Sequence, residues 1–210
     1  MAYRLAEDER VLLPVFVNMD GFQLSFTREP VEIPDIEDVR RFLPPYQPKH
    51  AIFKASQPMA QGIAVLGGPV YSYFKYQMHL ANRKGLDVYK EVSKEFEGVF
   101  GRRYDAVEGY MTDDAEYLLI MTNSFSTLGK AAVKRAREKG IKAGLLRLRL
   151  IRPFPDDDIK NALKGRKAVA VIDQNISVGK GGIIYQEIAG ALYNEKERPL
   201  LLSFIGGLGG

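Results

Sequence analysis

Apolar residues in this chain gather into short, nearly unbroken runs separated by amphipathic stretches. The clearest run is Tyr117–Thr122, Tyr-Leu-Leu-Ile-Met-Thr, which predicts a strand buried on both faces. Small polar residues at 123–126 end it. From Thr127 onward Leu128, Ala131, Ala132 and Ala136 share one side of a helix, Lys130, Lys134, Arg135 and Arg137 share the other, and Gly140 supplies a stop. Strand, Ser/Thr turn and helix form the first half of a βαβ unit, which needs a parallel partner strand and a layered domain around it. Further strands are predicted at 106–110, 143–151, Ala168–Asp173 and Leu200–Ile205, with helices over Asp156–Leu163 and 183–193. The fold class that follows is α/β, with a largely parallel sheet and helices on both faces. Within 143–151, Leu146, Leu148 and Leu150 alternate with Arg147 and Arg149. A fully covered central strand would not carry two arginines on one face, so that face is expected to meet water or a polar partner.

The first part of the chain is less regular. The opening residues read as the last turns of a helix. Residues 11–17, Val-Leu-Leu-Pro-Val-Phe-Val, predict a strand whose Pro14 puts it at an edge. Asp35 is placed to cap a short helix over Ile36–Phe42. Leu43-Pro-Pro-Tyr-Gln-Pro48 cannot continue that helix and reads as a linker, which puts a boundary near residue 48. Beyond an irregular, glycine-rich stretch, residues 71–83 read as helical, and 87–100 continue or restart that helix after Gly85; Val88, Val92, Phe96 and Val99 keep helical spacing.

Composition narrows the chemistry. Of 210 residues 46% are apolar and 27% charged, an ordinary balance for a folded domain. With 30 basic and 26 acidic residues interspersed, the net charge of +4 describes a solvated surface and no nucleic-acid footprint. Cysteine is absent, which excludes disulfides and thiolate chemistry. No apolar run approaches the ~20 residues of a membrane span, and the first residues lack a secretory core, so a cytoplasmic protein is expected.

Candidate sites are few. The histidines, His50 and His79, lie far apart and no metal site is predicted; Asp156-Asp-Asp158 reads as an N-terminal helix cluster favoured by the helix dipole. Ser124 follows a strand but has no Gly-x-Ser-x-Gly context and no histidine after it, so no hydrolase triad is expected. The turn carrying Ser124, Ser126 and Thr127 has two readings: an anion site built from backbone N–H groups and hydroxyls, or simple capping of the helix that follows. Ser177-Val-Gly-Lys-Gly-Gly182 has the composition of a phosphate loop but neither nucleotide-binding order, and tight strand-to-helix packing accounts for its glycines. No catalytic or cofactor-binding residue is assigned, and Arg147 and Arg149 are expected at an interface. A subunit or structural module fits this lack of a self-sufficient constellation better than a free-standing enzyme.

Several multi-residue motifs, in order, resemble one family. Asn18-Met-Asp-Gly-Phe22, Glu29-Pro-Val-Glu-Ile-Pro34, Phe42-Leu-Pro-Pro-Tyr46, Arg149-Leu-Ile-Arg-Pro-Phe-Pro155, Ala168–Asp173 and Phe204-Ile-Gly-Gly-Leu-Gly-Gly210 are similar to the alpha subunits of 2-oxoacid:ferredoxin oxidoreductases, above all the pyruvate enzymes. The resemblance implies an enzyme of several subunits that uses thiamine diphosphate, magnesium and iron–sulfur clusters to convert a 2-oxoacid and coenzyme A to acyl-CoA while reducing ferredoxin. It implies that residues 1–48 are the tail of a pyrimidine-binding domain and 49–210 a domain like the C-terminal domain of transketolases. This chain would then be a C-terminal part that binds none of those cofactors itself and is inactive alone. Its partners would be the beta, gamma and delta subunits and, through the complex, ferredoxin. A branched-chain 2-oxoacid enzyme, or a module that binds an anion such as a coenzyme A phosphate, are the alternatives.

Overall fold

The structure is a computed structural model that describes residues 1–48, 52–60, 62 and 68–207. His50 and the last three residues of the C-terminal glycine motif lie outside the described residues. Two compact units emerge: Met1–Val17 with Val31–Arg103, and Asn18–Pro30 with Tyr104–Gly210.

The first unit holds α1 (Ala2–Ala6), α2 (Ile36–Phe42) and α3 (Val70–Phe100). Asp35 caps α2 as expected, its Oδ1 accepting from Glu37 N at 2.8 Å. Leu5, Val11, Phe42, Val88 and Val92 form the buried core. The Phe42 ring meets Phe96 edge-on, with centroids 5.2 Å apart. The unit runs on past the prolines at 44 and 45, which stop α2. Of the two readings at Gly85, continuation is the one observed: residues 71–83 and 87–100 belong to one helix, α3, with Gly85 buried inside it; packing against the core offsets the ~1 kcal/mol that an interior glycine costs. One expectation is corrected here. Residues 11–17 form no strand. Val11 turns into the core while Val15, Phe16 and Val17 stay exposed, and Leu12 takes a left-handed φ of 43°. Pro14, without an N–H, cannot join a ladder, and among the described residues of this unit no neighbouring strand is present to pair with the rest.

The second unit is the α/β domain. Its elements in order are β1 (Val107–Tyr110), β2 (Tyr117–Thr122), α4 (Phe125–Glu138), β3 (Ala143–Leu148), α5 (Asp156–Leu163), β4 (Ala168–Asp173), α6 (Ile183–Leu192) and β5 (Leu200–Ile205). The strand order is β1-β3-β2-β4-β5; all neighbours are parallel except β1, which runs antiparallel to β3. The mostly parallel sheet expected from the buried runs is thus observed, with helices on both faces. On one face Leu118, Ile120, Leu146, Leu148, Val169 and Val171 pack on Ile159 and Leu163 of α5 and Ile184 and Ile188 of α6. On the other, Met121 and Leu145 pack on Val133 of α4. Gly129 lets α4 approach closely: a Cβ there would stand 2.5 Å from Met121 Sδ and 3.0 Å from Leu145. β3 stops at Leu148, short of the predicted 151, and Arg149 lies just past its end.

Candidate functional site

Strand order decides where a site can form. From β2 the chain crosses through α4 to β3 on one side, and from β4 it crosses through α6 to β5 on the other. The loops after β2 and β4 therefore diverge, opening a crevice at the carboxyl ends of neighbouring parallel strands, where ligands of open α/β sheets bind. Both anion loops read from the sequence lie at these ends.

The turn after β2 is built around Asn123, which adopts φ 51°, and Ser124, the N-cap of α4. Ser124 makes no side-chain cap bond within the helix. Its N–H donates to Asp20 Oδ2 at 2.8 Å and its hydroxyl bonds the same oxygen. A carboxylate from the Asn18-Met-Asp-Gly motif thus sits on the positive end of α4, where a bound anion would go. Ser126 is fully buried; its hydroxyl donates to Asn123 O at 2.5 Å and accepts from Arg147 Nε at 2.5 Å. Arg147 Nη2 also donates to Thr127 Oγ1 at 3.3 Å. The predicted turn residues and the first of the predicted interface arginines therefore share one network.

That network extends to Glu108 on β1, which the register sets opposite Arg147. Arg147 lies 3.7 Å from Glu108, Lys130 bonds it at 3.2 Å, and Arg149 bonds it directly. Lys130 also stands over the Tyr110 ring and Arg149 over the Tyr104 ring, 5.2 and 5.0 Å from the centroids. Burial pushes the Glu108 carboxyl up, but hydrogen bonds from Arg149 and Lys130 and the charge of Arg147 outweigh it and hold the group below the usual glutamate range. The polar partner expected for the arginine face includes this internal glutamate.

The turn after β4 is closed in the same way. Asp173, at the end of β4, is buried and accepts from Ile184 N at 2.8 Å and Tyr185 N at 3.2 Å, capping α6. Gly182 must lack a side chain, since a Cβ would stand 2.1 Å from Asp173 Oδ2. Gly179 and Gly181 take φ of 82° and 110°, conformations that favour glycine. The glycines thus serve a turn folded around a carboxylate. Beside it, Gln174 keeps a buried Oε1 with no hydrogen-bond partner, and Gly207, just after β5, lies against the same side chain. Asp20, Glu108 and Gln174 were not singled out from the sequence, and Lys130 was read only as part of the polar side of its helix; Asp20 stood in a quoted motif, and nothing local marks which residue a distant carboxylate reaches.

Other predicted sites stay apart. Asp156, Asp157 and Asp158 fill the first turn of α5, as the dipole favours, but no side chain caps it. His79 stacks on Tyr76 in α3. Among the described residues no group of three His, Cys, Asp or Glu side chains could hold a metal.

Comparison with known proteins supplies what geometry does not. Residues 1–94 match the family model described as pyruvate flavodoxin/ferredoxin oxidoreductase, thiamine diphosphate-binding, and residues 115–210 match pyruvate:ferredoxin oxidoreductase core domain II. The pyruvate synthase subunit PorA of Pyrococcus horikoshii is 44% identical over 100% of this chain and 53% of its own length. PorA of Thermotoga maritima is 39% identical over 100% and 53%. The ketoisovalerate oxidoreductase subunit VorA of Pyrococcus abyssi is 36% identical over the same shares. A solved 2-oxoglutarate:ferredoxin oxidoreductase from Magnetococcus marinus aligns with a TM-score of 0.46 at 17% identity over 69% of this chain and 22% of its own, a likeness too distant to bear on chemistry here. The chain spans about half the length of the curated relatives it matches. With both family models aligned along it and PorA sequences matching it from end to end, this chain belongs to the pyruvate:ferredoxin oxidoreductase family.

Proposed function

We propose that this chain is a structural and assembly part of the alpha subunit of a pyruvate synthase, the enzyme that converts pyruvate and coenzyme A to acetyl-CoA while reducing ferredoxin. The observation that carries the reading is the 44% identity to a PorA subunit held along the whole chain. The 36% identity to VorA favours pyruvate over a branched-chain 2-oxoacid. Thiamine diphosphate supplies the stabilised carbanion such an enzyme needs, with magnesium and iron–sulfur clusters elsewhere in the complex. The described residues do not fit a diphosphate–magnesium site: Asp20 and Asp173 occupy both helix N-termini at the crevice, and their charge would repel a diphosphate. The chain's role is then to pack, and to join beta, gamma and delta subunits in the cytoplasm, with ferredoxin reached through the complex. No described helix is long and apolar enough to cross a membrane. Arg147 and Arg149 keep side-chain exposures of 18% and 26% beyond their internal bonds, which suits a second acceptor from a neighbouring subunit.

Reconstitution tests the reading. The chain is combined with the beta, gamma and delta subunits, with and without the PorA segment outside the match, and pyruvate- and coenzyme A-dependent ferredoxin reduction is assayed. Activity only when both alpha pieces are present is expected. Activity without the added segment would show that the thiamine site is complete without it, against the role proposed here. Charge reversal at Arg147 and Arg149 that leaves assembly unchanged would remove the interface part alone. A second reading is an anion or coenzyme A phosphate module, favoured by three cations gathered on the single carboxylate of Glu108. No assembly in either mixture, with coenzyme A binding lost in Arg147→Ala, would put that reading ahead.

A further inference from the structure

The α4 helix lacks a cap of its own. Its N-cap, Ser124, makes no side-chain cap bond, and its first turn carries no acidic residue. Other helices of the chain draw their negative charge from nearby. Asp35 caps the helix it precedes, Asp156, Asp157 and Asp158 fill the first turn of α5, and Asp173 reaches α6 from the end of the strand before it. α4 is served from 104 positions away, by Asp20, whose carboxylate accepts from Ser124 N at 2.8 Å and from the Ser124 hydroxyl.

Asp20 belongs to an arm, Asn18–Pro30, that is part of the α/β unit although the residues on either side of it belong to the other unit. The arm is folded on itself. Leu24 N donates to Asp20 O at 3.3 Å, Phe26 N to Phe22 O at 3.0 Å and Phe22 N to Ser25 Oγ at 3.0 Å, and the Phe22 and Phe26 rings stack with centroids 5.2 Å apart. Its tie to the rest of the unit is narrow. Among the described residues the bonds from Ser124 to Asp20 are the only hydrogen bonds that leave the arm, and Asp20 is its only residue that is not exposed. A self-contained turn on one anchor opens and closes as a unit. The anchor is strong for its size, because an ionised acceptor meets two donors at the positive end of a helix.

We propose that Asp20 is a latch: it holds the arm on the α/β unit by completing α4, so that docking of the arm and order in the first turn of α4 are gained and lost together. The coupling is reciprocal, since both sides share one set of bonds. The same turn holds Arg147 through the hydroxyls of Ser126 and Thr127, so the state of the arm reaches the arginine cluster without touching it. The latch lies within one unit of this chain, and it does not depend on the family reading.

The test uses the full chain, which has no cysteine, so spin labels go only where cysteines are introduced. Labels on Gln23→Cys in the arm and Lys196→Cys, both exposed positions, report docking by double electron–electron resonance. A second pair, on Lys134→Cys and Lys196→Cys, reports the unit without the arm. The arm pair is expected to give one narrow distance distribution. Asp20→Asn, which keeps the shape and removes the charge, should broaden it, and Asp20→Ala more so, with the second pair unchanged. Hydrogen exchange in the same variants should rise ~10-fold at amides 127–130 of α4 and stay constant in α6. Ser124→Ala, which keeps the N–H, should fall between. Glu29→Gln, the same loss of charge elsewhere in the arm, should change neither reading. If Asp20→Ala disturbs the second pair, Asp20→Asn decides. A narrow arm distribution in both Asp20 variants, or a parent distribution as broad as theirs, would overturn the latch. So would release of the arm with unchanged exchange in α4, or an equal response to Glu29→Gln, which would trace the effect to net charge.

Discussion

At the scale of single residues, carboxylates organise the carboxyl end of the sheet. Asp20 and Asp173 each take a helix N-terminus, and Glu108 gathers Lys130, Arg147 and Arg149. Each supplies negative charge where orphan N–H groups or cations would otherwise be left without it. Glu108 gives a prediction with a definite sign. Its carboxyl titrates below the unfolded glutamate value of ~4.3, so its contribution to stability is present above that pH and is lost as pH falls through the lower, folded value. Glu108→Gln should therefore be less stable than the parent chain at pH 7, with the gap closing below about pH 4. Urea denaturation at pH 7 and pH 3 measures this, and a gap that stays constant would refute the assignment. The arginines were legible as an odd polar stripe in an apolar strand. Their partner was not, because Glu108 comes from a strand whose antiparallel register only the sheet establishes.

At the scale of elements, periodicity identified most helices and strands, and α3 shows what it left open. Local propensity allows a break at Gly85, but burial of that residue with Val88 and Val92 carries the helix through. The two halves of α3 then differ in support. Tyr71, Tyr73, Phe74, Tyr76, Met78 and Leu80 are all exposed, whereas the later turns pack on Leu5, Val11 and Phe42. Hydrogen exchange should reflect this: amides of residues 71–80 exchange at least ~10-fold faster than those of 88–100. Uniform protection along α3 would mean that the first half is stabilised as well as the second. Residues 11–17 teach the converse. An apolar run with β propensity becomes a strand only where a neighbour offers a ladder, and Pro14 removes part of the edge it would present.

For the whole molecule, core and surface of the sheet are sharply distinguished. Ile159 of α5 is fully buried against the sheet face that α5 and α6 cover, while Leu200 is 63% exposed on the other face. Ile159→Ala should cost about 2–5 kcal/mol in equilibrium unfolding, as large-to-small changes in packed cores do. Leu200→Ala should fall within about 0.5 kcal/mol of the parent chain. A large cost at Leu200 would show that its face is covered in solution, as would follow if the chain supplied its own cover.

Sequence alone determined the α/β class, most element positions and, through several ordered motifs, the family. Those features are local: apolar period, capping residues and turn-breaking prolines act over a few residues and are written in order along the chain. The tertiary structure decided which ends of which strands are neighbours, and so brought Asp20 to the Ser124 turn and Glu108 to Arg147. It also decided that Leu200, Leu202 and Phe204, an apolar run like any buried strand in sequence, line an uncovered face. A residue's burial depends on what the fold stacks above it, and that layer is set by crossover connections rather than by the strand's own composition.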